Sequence, residues 1–528
     1  MHRRKFLQHV GCAACAAGAD HLFLRVSSAA AAEAYAKLDD AARLKLADMA
    51  LDLARAAGAG YADIRIGRNE SEFIHARERR IDQLSSSHTV GFGVRVLHDG
   101  SWGFAASETI TENEVRAAVA LAVENARASR LIQATPIVIE EVPVYREDWR
   151  MPMQIDPFTI ASHDKAAKLL ATNEATLGAG ANYANASFRF VREEKLFASS
   201  RGSRINQMRV RTQPDFGATA VDPQSGRFAG RAGMVAPRGA GWEYIESHDF
   251  PGEAALAGEQ ARQKLRARPV RPGKYDLVID PTNLWLTIHE SIGHPTELDR
   301  ALGWEANLAG TSFVTPDKLG KLQYGSPLLN IVADRSQEGG LATVQFDDDG
   351  VHSSSAEFAI IKDGVFRNYQ MAIGQAAYIG VERSNGCAYA DSPASFPLQR
   401  MPNISMQPNP SPTSLDDLFA DVKDGIYVVG NGSWSIDQQR HNFQFGGQLF
   451  YEIRNGKRGN MLRAAAYQGR TLNFWNALDG LGDKSTYYLG GTPTCGKGQP
   501  GQVAPVSHGA VAARFRQINV LNVAREDI

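Results

Sequence analysis

The sequence lacks several features that would point to a membrane, nucleic-acid or serine-hydrolase function. No stretch of its 528 residues approaches the roughly 18 consecutive apolar residues of a membrane span. Its 57 Lys and Arg are balanced by 58 Asp and Glu, and no basic stripe interleaved with aromatic residues is present, so we expect no nucleic-acid partner. The G-x-S-x-G sequence of a serine nucleophile elbow is also missing.

The N-terminus has the composition of an export signal. The sequence RRKFL at residues 3–7 resembles the RRxFL core of a twin-arginine signal. A modestly apolar run from Val10 to Leu24 follows, and then an Ala-rich stretch from Ser28 to Ala32 that suits a small-residue cleavage site. A basic N-terminal helix is the alternative. We predict that residues 1–32 are a signal and that the protein is exported to the periplasm.

Cysteine is scarce, with 4 residues in the whole chain. Cys12 and Cys15 form a C-x-x-C pair, but both fall inside the predicted signal. Cys387 and Cys495 remain. In an oxidising compartment two such cysteines are typical of a disulfide, whereas a metal site would need a free thiol. The residues alone leave both interpretations open.

The length favours two large domains, and one segment has the character of a linker between them. The sequence RARPVRPGKYD at residues 266–276 places two prolines and a glycine among basic residues, which is typical of a boundary. We predict an α+β fold. Its N-terminal domain, residues 36–268, is a sheet flanked by helices, and its C-terminal domain, residues 272–528, is rich in strands.

Local patterns predict several elements of the first half. Tyr61–Ile66 and Glu72–Ala76 have the character of two separate strands. Valines alternate from Gly91 to Leu97, and Asp99-Gly100 then forms the turn of a hairpin. Thr111 has capping-box spacing ahead of an amphipathic helix.

The candidate chemistry lies between Tyr275 and Asp299, in the sequence YDLVIDPTNLWLTIHESIGHPTELD. Its first residues predict a buried strand. Pro281 to Gly293 is a predicted helix, because Asp280 is a good N-cap and proline fits the first helical position, where no amide hydrogen is needed. Pro295 disfavours helical geometry in the residue before it, so the helix ends there.

This short helix carries His289, Glu290 and, at its end, His294. The familiar zinc pattern HExxH spaces its histidines by four residues, which places both on one face. Here the spacing is five residues, which leaves the two rings about 140° apart on a regular helix. A widened π turn would bring them together, and Gly293 and Pro295 make such a distortion easy. On spacing alone, two unrelated histidines are the better interpretation.

The surrounding residues change that interpretation. HESIGHPTELD resembles the HExxxH segment of the TldD family, the metal-bearing branch of the TldD/PmbA peptidases. Six further segments resemble family segments in the same order: GFGVRVLHDGSWGFAAS, FDDDGV, EFAIIKDGVFRNY, PLQRMPNISMQP, FGGQLFYEIRNGKRG and TCGKGQPGQVAPV. Seven ordered segments spread over nearly the whole mature chain are far more specific than any one of them.

The resemblance implies a zinc site. In the family the two motif histidines and the cysteine of the CGK segment bind zinc, and the matching residues are His289, His294 and Cys495. Two imidazoles, a thiolate and an open position for water suit catalysis. Cys495 then cannot pair with Cys387, which becomes a lone, buried thiol. Glu290 would be the general base and then the proton donor to the leaving amine.

Two acidic residues and two histidines lie in or near these segments. Glu297 and Asp299 match acidic positions of the family motif. They either orient His294 from outside the metal's own ligands or form a solvated acidic turn. His352 and His441 are interpreted as ordinary polar residues.

The resemblance implies a zinc-dependent peptidase that hydrolyses short or unfolded peptides in an enclosed dimer cavity. The peptide would bind as an added strand at the edge of a sheet, a mode of binding that tolerates varied side chains. Its partner would be an identical chain or a metal-less paralogue of the TldE/PmbA type. One alternative is a non-catalytic partner of the same family, against which the intact metal motif argues. Another is a gyrase-modulator-like regulator, against which the charge balance and the export signal argue.

Overall fold

The computed structural model describes residues 27–353 and 358–524. Helices and strands both occur along the chain, and the predicted α+β class is confirmed. Most of the predicted signal falls on residues 1–26, outside the described residues. None of the helices in the two described ranges combines the length and hydropathy that a bilayer span requires.

The first half folds into a seven-stranded sheet with helices packed on it. Its helices are α1 Ala29–Ala36, α2 Asp40–Ala56, α3 Glu112–Arg130, α4 Ser162–Gly178, α5 Glu243–Glu246 and α6 Phe250–Arg266. Its strands are β1 Tyr61–Arg77, β2 Arg80–His98, β3 Ser101–Ser107, β4 Arg146–Arg150, β5 Tyr183–Ser199, β6 Arg204–Val221 and β7 Phe228–Ala232. The strand order is β3-β2-β1-β5-β6-β4 with β7 beside β6, and only the β4–β6 pair is parallel among these described strands.

The local patterns explain most of these elements. Asp99 and Gly100 both take positive φ, 49° and 76°, as a tight turn between β2 and β3 requires. Thr111 accepts a hydrogen bond from the amide of Glu114 at the start of α3. The prediction of two strands before this hairpin was wrong. β1 is continuous because its polar middle, Asn69–Ser71, pairs with β2 on one side and β5 on the other.

The second half contains the remaining helices and strands. Its helices are α7 Pro281–Ile288, α8 Leu298–Ala301, α9 Leu415–Ala420 and α10 Thr471–Asn476. Its strands are β8 Arg268–Pro269, β9 Gly273–Ile279, β10 Ile331–Asp334, β11 Phe358–Lys362, β12 Val365–Phe366, β13 Ala388–Tyr389, β14 Leu398–Gln399, β15 Asn403–Met406, β16 Asp424–Ile436, β17 Asn442–Arg454, β18 Lys457–Arg463, β19 Ala465–Arg470, β20 Leu478–Leu481, β21 Tyr488–Lys497, β22 Gln502–Ala510 and β23 Ala513–Asn522.

A closed sheet organises this half. The order β16-β9-β23-β19-β17 returns to its start, because β16 also pairs with β17. Helix α7 follows β9 directly and packs against β16 and against the separate hairpin of β21 and β22. Its residues Leu284 and Ile288 belong to the largest apolar core of the molecule's described part. The helix is therefore fixed between the closed sheet and that hairpin.

The chain changes sheets where the sequence predicts a boundary. Helix α6 ends at Arg266, and β8, which starts at Arg268, already pairs with β18 of the second sheet. The division into two independent folding domains near residue 270 stays a prediction.

Buried ion pairs join the two halves. Arg95 of the first sheet donates to Asp63 and, at 2.7 Å, to Asp349 of the second half. Lys195 of the first sheet donates to Asp348, the residue before Asp349, at 2.8 Å. These side chains are almost fully buried, so removal of one carboxylate would leave a buried cation with weaker compensation. The FDDDG segment thus connects the halves.

Candidate metal and active site

The predicted π turn is present at the end of α7. Residues His289–Gly293 form a π-helical turn, and the amide of His294 donates to the carbonyl of His289, five residues earlier. A Cβ at Gly293 would lie 2.7 Å from the sulfur of Met401, so a larger residue there would have to displace that side chain. The wider turn brings the rings of His289 and His294 to 4.6 Å between centroids. The five-residue spacing is therefore compatible with a shared site.

A chain of hydrogen bonds orients His289. Its Nδ1 lies 2.7 Å from Nε2 of His508 on β22, and Nδ1 of His508 lies 3.2 Å from the carbonyl oxygen of Ile404. A carbonyl only accepts, so His508 carries its proton on Nδ1 and its Nε2 accepts from His289. This assignment leaves the Nε2 lone pair of His289 free. Burial lowers the pKa of both imidazoles, which favours their neutral, metal-binding form.

A carboxylate orients His294 in the same way. Oε2 of Glu297 lies 2.9 Å from Nδ1 of His294, and Nη2 of Arg300 is 3.1 Å from the same nitrogen. An ionised carboxylate only accepts, so we assign the Nδ1 proton of His294 to the bond with Glu297. Nε2 of His294 then faces Sγ of Cys495, 3.8 Å away.

The acidic pair is buried, which excludes a solvated turn. Glu297 is 1% exposed and Asp299 is 5% exposed. Lys497 donates to both, at 3.0 and 2.8 Å. Burial opposes ionisation of Glu297, but the cations of Lys497 and Arg300 outweigh it and hold its pKa well below the usual range. Glu297 thus contacts His294, as one of the two interpretations predicted, whereas Asp299 holds Lys497.

Cys495 completes a cluster of three possible ligands. Its sulfur and one ring nitrogen from each of His289 and His294 all lie within 4.8 Å of one another. Cys495 and Cys387 are both free thiols, so neither forms the alternative disulfide. Burial raises the pKa of the Cys495 thiol. Such a thiol becomes a thiolate when a cation lies beside it, and two neutral imidazoles with one cysteine are a donor set that zinc accepts.

Glu290 lies beside this cluster with a cationic partner. Nη1 of Arg440 donates to its Oε2 at 3.0 Å. Arg440 sits in the turn between β16 and β17 with φ of 68°, a conformation that most residues avoid. The turn is held in place, because the Arg440 amide donates to the carbonyl of Asp437 and the hydroxyl of Thr471 donates to the carbonyl of Arg440.

A cavity of about 580 Å³ gives access to these groups. Its walls include His289, Glu290, His294, Cys495 and Arg440. The side chains of the first four are less than 10% exposed, so the reactive groups lie at the bottom of a recess.

The structure brings together all four residues that the sequence singled out. Their assignment as metal ligands and general base remains a prediction. Sequence reasoning missed His508, which lies on β22 more than 200 residues from the motif, and it missed Arg440. Lys497 could have been found from the sequence, because it belongs to the TCGK segment that resembles a family motif. His352 and His441 lie outside the cluster of possible ligands.

Comparison with known proteins identifies relatives over most of the chain. Residues 272–521 match the family model described as the PmbA/TldA metallopeptidase C-terminal domain, and residues 62–126 match the PmbA/TldA metallopeptidase domain 1. A metalloprotease of Methanocaldococcus jannaschii is 27% identical over 455 residues, covering 86% of this chain and 95% of the relative. A zinc metalloprotease TldD homolog of Saccharolobus solfataricus is 25% identical over 478 residues, covering 88% and 97%.

Solved structures show the same fold. The crystal structure of TldE from Thermococcus kodakarensis superimposes with a TM-score of 0.68 at 16% sequence identity, covering 89% of this chain and 99% of that one.

Proposed function

This chain belongs to the PmbA/TldD metallopeptidase family, and from that premise we propose that it is a zinc-dependent peptidase of short or unfolded peptides. The observation that carries the proposal is the convergence of His289, His294 and Cys495 within 4.8 Å, next to Glu290 and at the bottom of a cavity. Two curated relatives are named metalloproteases, one of them a zinc metalloprotease, which supports the same chemistry.

The three converging residues would hold the ion through Nε2, Nε2 and Sγ. Zinc, when bound, supplies Lewis acidity that polarises the scissile carbonyl and lowers the pKa of a water molecule. His508 and Glu297 keep the two imidazoles in the orientation in which their Nε2 atoms can bind.

Glu290 is positioned to move protons. It follows His289 directly and lines the cavity, so its carboxylate can take the proton of the attacking water and pass it to the leaving amine. Arg440 donates a hydrogen bond to the Oε2 atom of this carboxylate. The ionised form of Glu290 therefore has a cationic partner. Such a base typically contributes about 10²–10⁴-fold in rate.

A non-catalytic role and a gyrase-regulating role are the alternatives. A non-catalytic partner would not need three metal-binding side chains beside a carboxylate, so the cluster favours an active enzyme. A nucleic-acid-associated regulator would need a basic surface, whereas Lys and Arg, 57 in all, are matched by 58 acidic residues. We also propose that the protein forms a dimer, either with an identical chain or with a metal-less paralogue of the TldE type.

The test uses the purified chain without a partner. We expect the wild type to contain zinc by elemental analysis and to cleave unfolded peptides. Glu290→Ala should retain zinc and lose about 10²–10⁴-fold in rate, whereas Cys495→Ala should lose both zinc and activity because a direct ligand is gone. Equal zinc in the wild type, Cys495→Ala and His294→Ala would reject the site.

We also propose that the protein is exported through the sequence RRKFL at residues 3–7, which lies outside the described residues. A twin-arginine signal is recognised by a receptor, so Arg3→Lys with Arg4→Lys should leave the folded protein in the cytoplasm. Cell fractionation of both forms is the measurement. Normal amounts of the double variant in the periplasm would contradict the proposal.

A further inference from the structure

A second cavity, of about 540 Å³, adjoins the cavity of the candidate active site. Five residues line both: Gln213, Trp434, Pro493, Thr494 and Gly496. Three of these flank Cys495 in the chain, so the two cavities meet at the strand that carries the predicted ligand. A molecule bound at the metal cluster can therefore continue into the second cavity.

The wall on one side is the first sheet. Side chains from four neighbouring strands face the space: Asn69 and Ser71 of β1, Ser87 and Thr89 of β2, Val191 of β5, and Gln213 of β6. These six are uncharged, and Ser71 pairs directly with Ser87 across the strands. The same sheet also places two charged side chains in the wall, Arg189 of β5 and Arg211 of β6.

Large apolar side chains also line the cavity. Phe396, Leu398 and Val503 come from the second half of the chain, and Phe104 comes from β3 of the first sheet. The rings of Phe104 and Phe396 are 5.7 Å apart in an edge-to-face arrangement, which leaves an aromatic surface on the cavity side. Aromatic surfaces of this kind favour another aromatic or large aliphatic group.

The charged groups that line the cavity already have partners. The guanidinium of Arg189 lies over the ring of Phe73, 4.9 Å from its centroid. Arg211 donates to Glu193 at 3.0 Å. Asp391 accepts from the hydroxyl of Ser395 at 2.6 Å and from the amide of Val503 at 3.0 Å. A charged ligand group would have to compete with these contacts, whereas an apolar group would simply displace water.

We propose that the second cavity binds a large apolar side chain of the peptide substrate, several residues away from the bond that is cleaved. This inference rests on the proposed function and specifies its substrate class: extended peptides with a distal aromatic or large aliphatic residue. The shared segment, Pro493–Gly496, spans at most roughly 13 Å when extended. About four peptide residues therefore reach from one cavity to the other. Unfolded chains expose such residues, whereas folded proteins bury them.

The test compares peptides that differ only at the distal position. Two peptides carry either Phe or Ser about four residues from the cleaved bond, and this pair is made for each side of the bond. A third, short peptide ends before that position. For the wild type, the Phe peptide should have a kcat/KM about 10- to 100-fold above that of the Ser peptide, mainly through KM. The short peptide should resemble the Ser peptide.

A filled cavity provides the matched variant. Ser71→Trp places a large ring in the space and should lower kcat/KM for the Phe peptide to the value for the Ser peptide. Ser86→Trp is the control, since Ser86 is an exposed residue of the adjacent strand that does not line the cavity. Thermal melting checks folding, and Ser87→Trp replaces Ser71→Trp if the latter does not fold.

The outcomes are distinguishable. Hydrolysis of all three peptides without preference in the wild type, or an unchanged preference in a folded Ser71→Trp variant, would overturn the inference and leave the peptidase intact. A zinc-loaded wild type that cleaves none of the peptides would overturn the proposed function and the inference together.

Discussion

The hydrogen bond from His289 to His508 makes a quantitative prediction about metal affinity. His508→Phe removes the acceptor but keeps a flat ring of similar size, which can still lie parallel to Trp285 as His508 does. The Nδ1 hydrogen of His289 would then be buried without a partner, because His508 is fully buried. The imidazole would be free to rotate, or to exchange its proton between the two nitrogens.

The size of the effect follows from two independent magnitudes. A buried donor left without a partner costs about 1–3 kcal/mol. Loss of the group that orients a metal-binding histidine typically weakens metal affinity about 10- to 100-fold, which corresponds to a similar free energy. We therefore expect the zinc Kd of His508→Phe to rise within that range, with the fold unchanged.

Competition with a zinc chelator measures this Kd directly and does not depend on activity. His508→Gln is the matched control, because its amide oxygen can accept from Nδ1 of His289 and should recover part of the affinity. A His441→Phe variant changes a histidine outside the cluster and should bind zinc normally. Wild-type affinity in a folded His508→Phe variant would refute the proposed orientation of His289.

Two further predictions concern charges. Arg440→Met should retain zinc but lower kcat by about 10- to 100-fold, since Glu290 loses a charge-assisted hydrogen bond. Arg440→Lys should recover part of the rate. An unchanged kcat of Arg440→Met in steady-state kinetics would exclude a role of Arg440 in positioning Glu290. Asp348→Ala removes one of the two buried carboxylates that contact the ammonium of Lys195 and leaves only Glu193, at 3.2 Å. It should destabilise the chain by up to about 3 kcal/mol in chemical denaturation. Glu33→Ala breaks an exposed pair and should change stability by less than about 1 kcal/mol.

The local part of the candidate site was predictable from the sequence. The spacing of His289 and His294, together with Gly293 and Pro295, required a π turn if the two rings were to meet, and that turn is present. The fold class and the first hairpin were equally accessible, because alternation and turn residues are local signals.

Long-range contacts were not predictable. His508 lies on a strand whose alternation gives no indication that one residue will meet α7. Arg440 is a polar residue in a turn, where exposure is the usual expectation. The continuity of β1 also depends on neighbours, since Asn69–Ser71 has poor strand character alone and is held by strands on both sides. In each case the deciding information lies in another part of the chain.

The π turn makes this segment an α-helix with one inserted residue. Deletion of Gly293 would change HESIGH to HESIH, which has the ordinary HExxH spacing. Four residues of an α-helix advance about 400°, so the two histidines of the shortened chain would again lie on one face without the wide turn. The wide turn thus absorbs the extra residue, and the residues on either side of it keep the positions that the ordinary motif would give them.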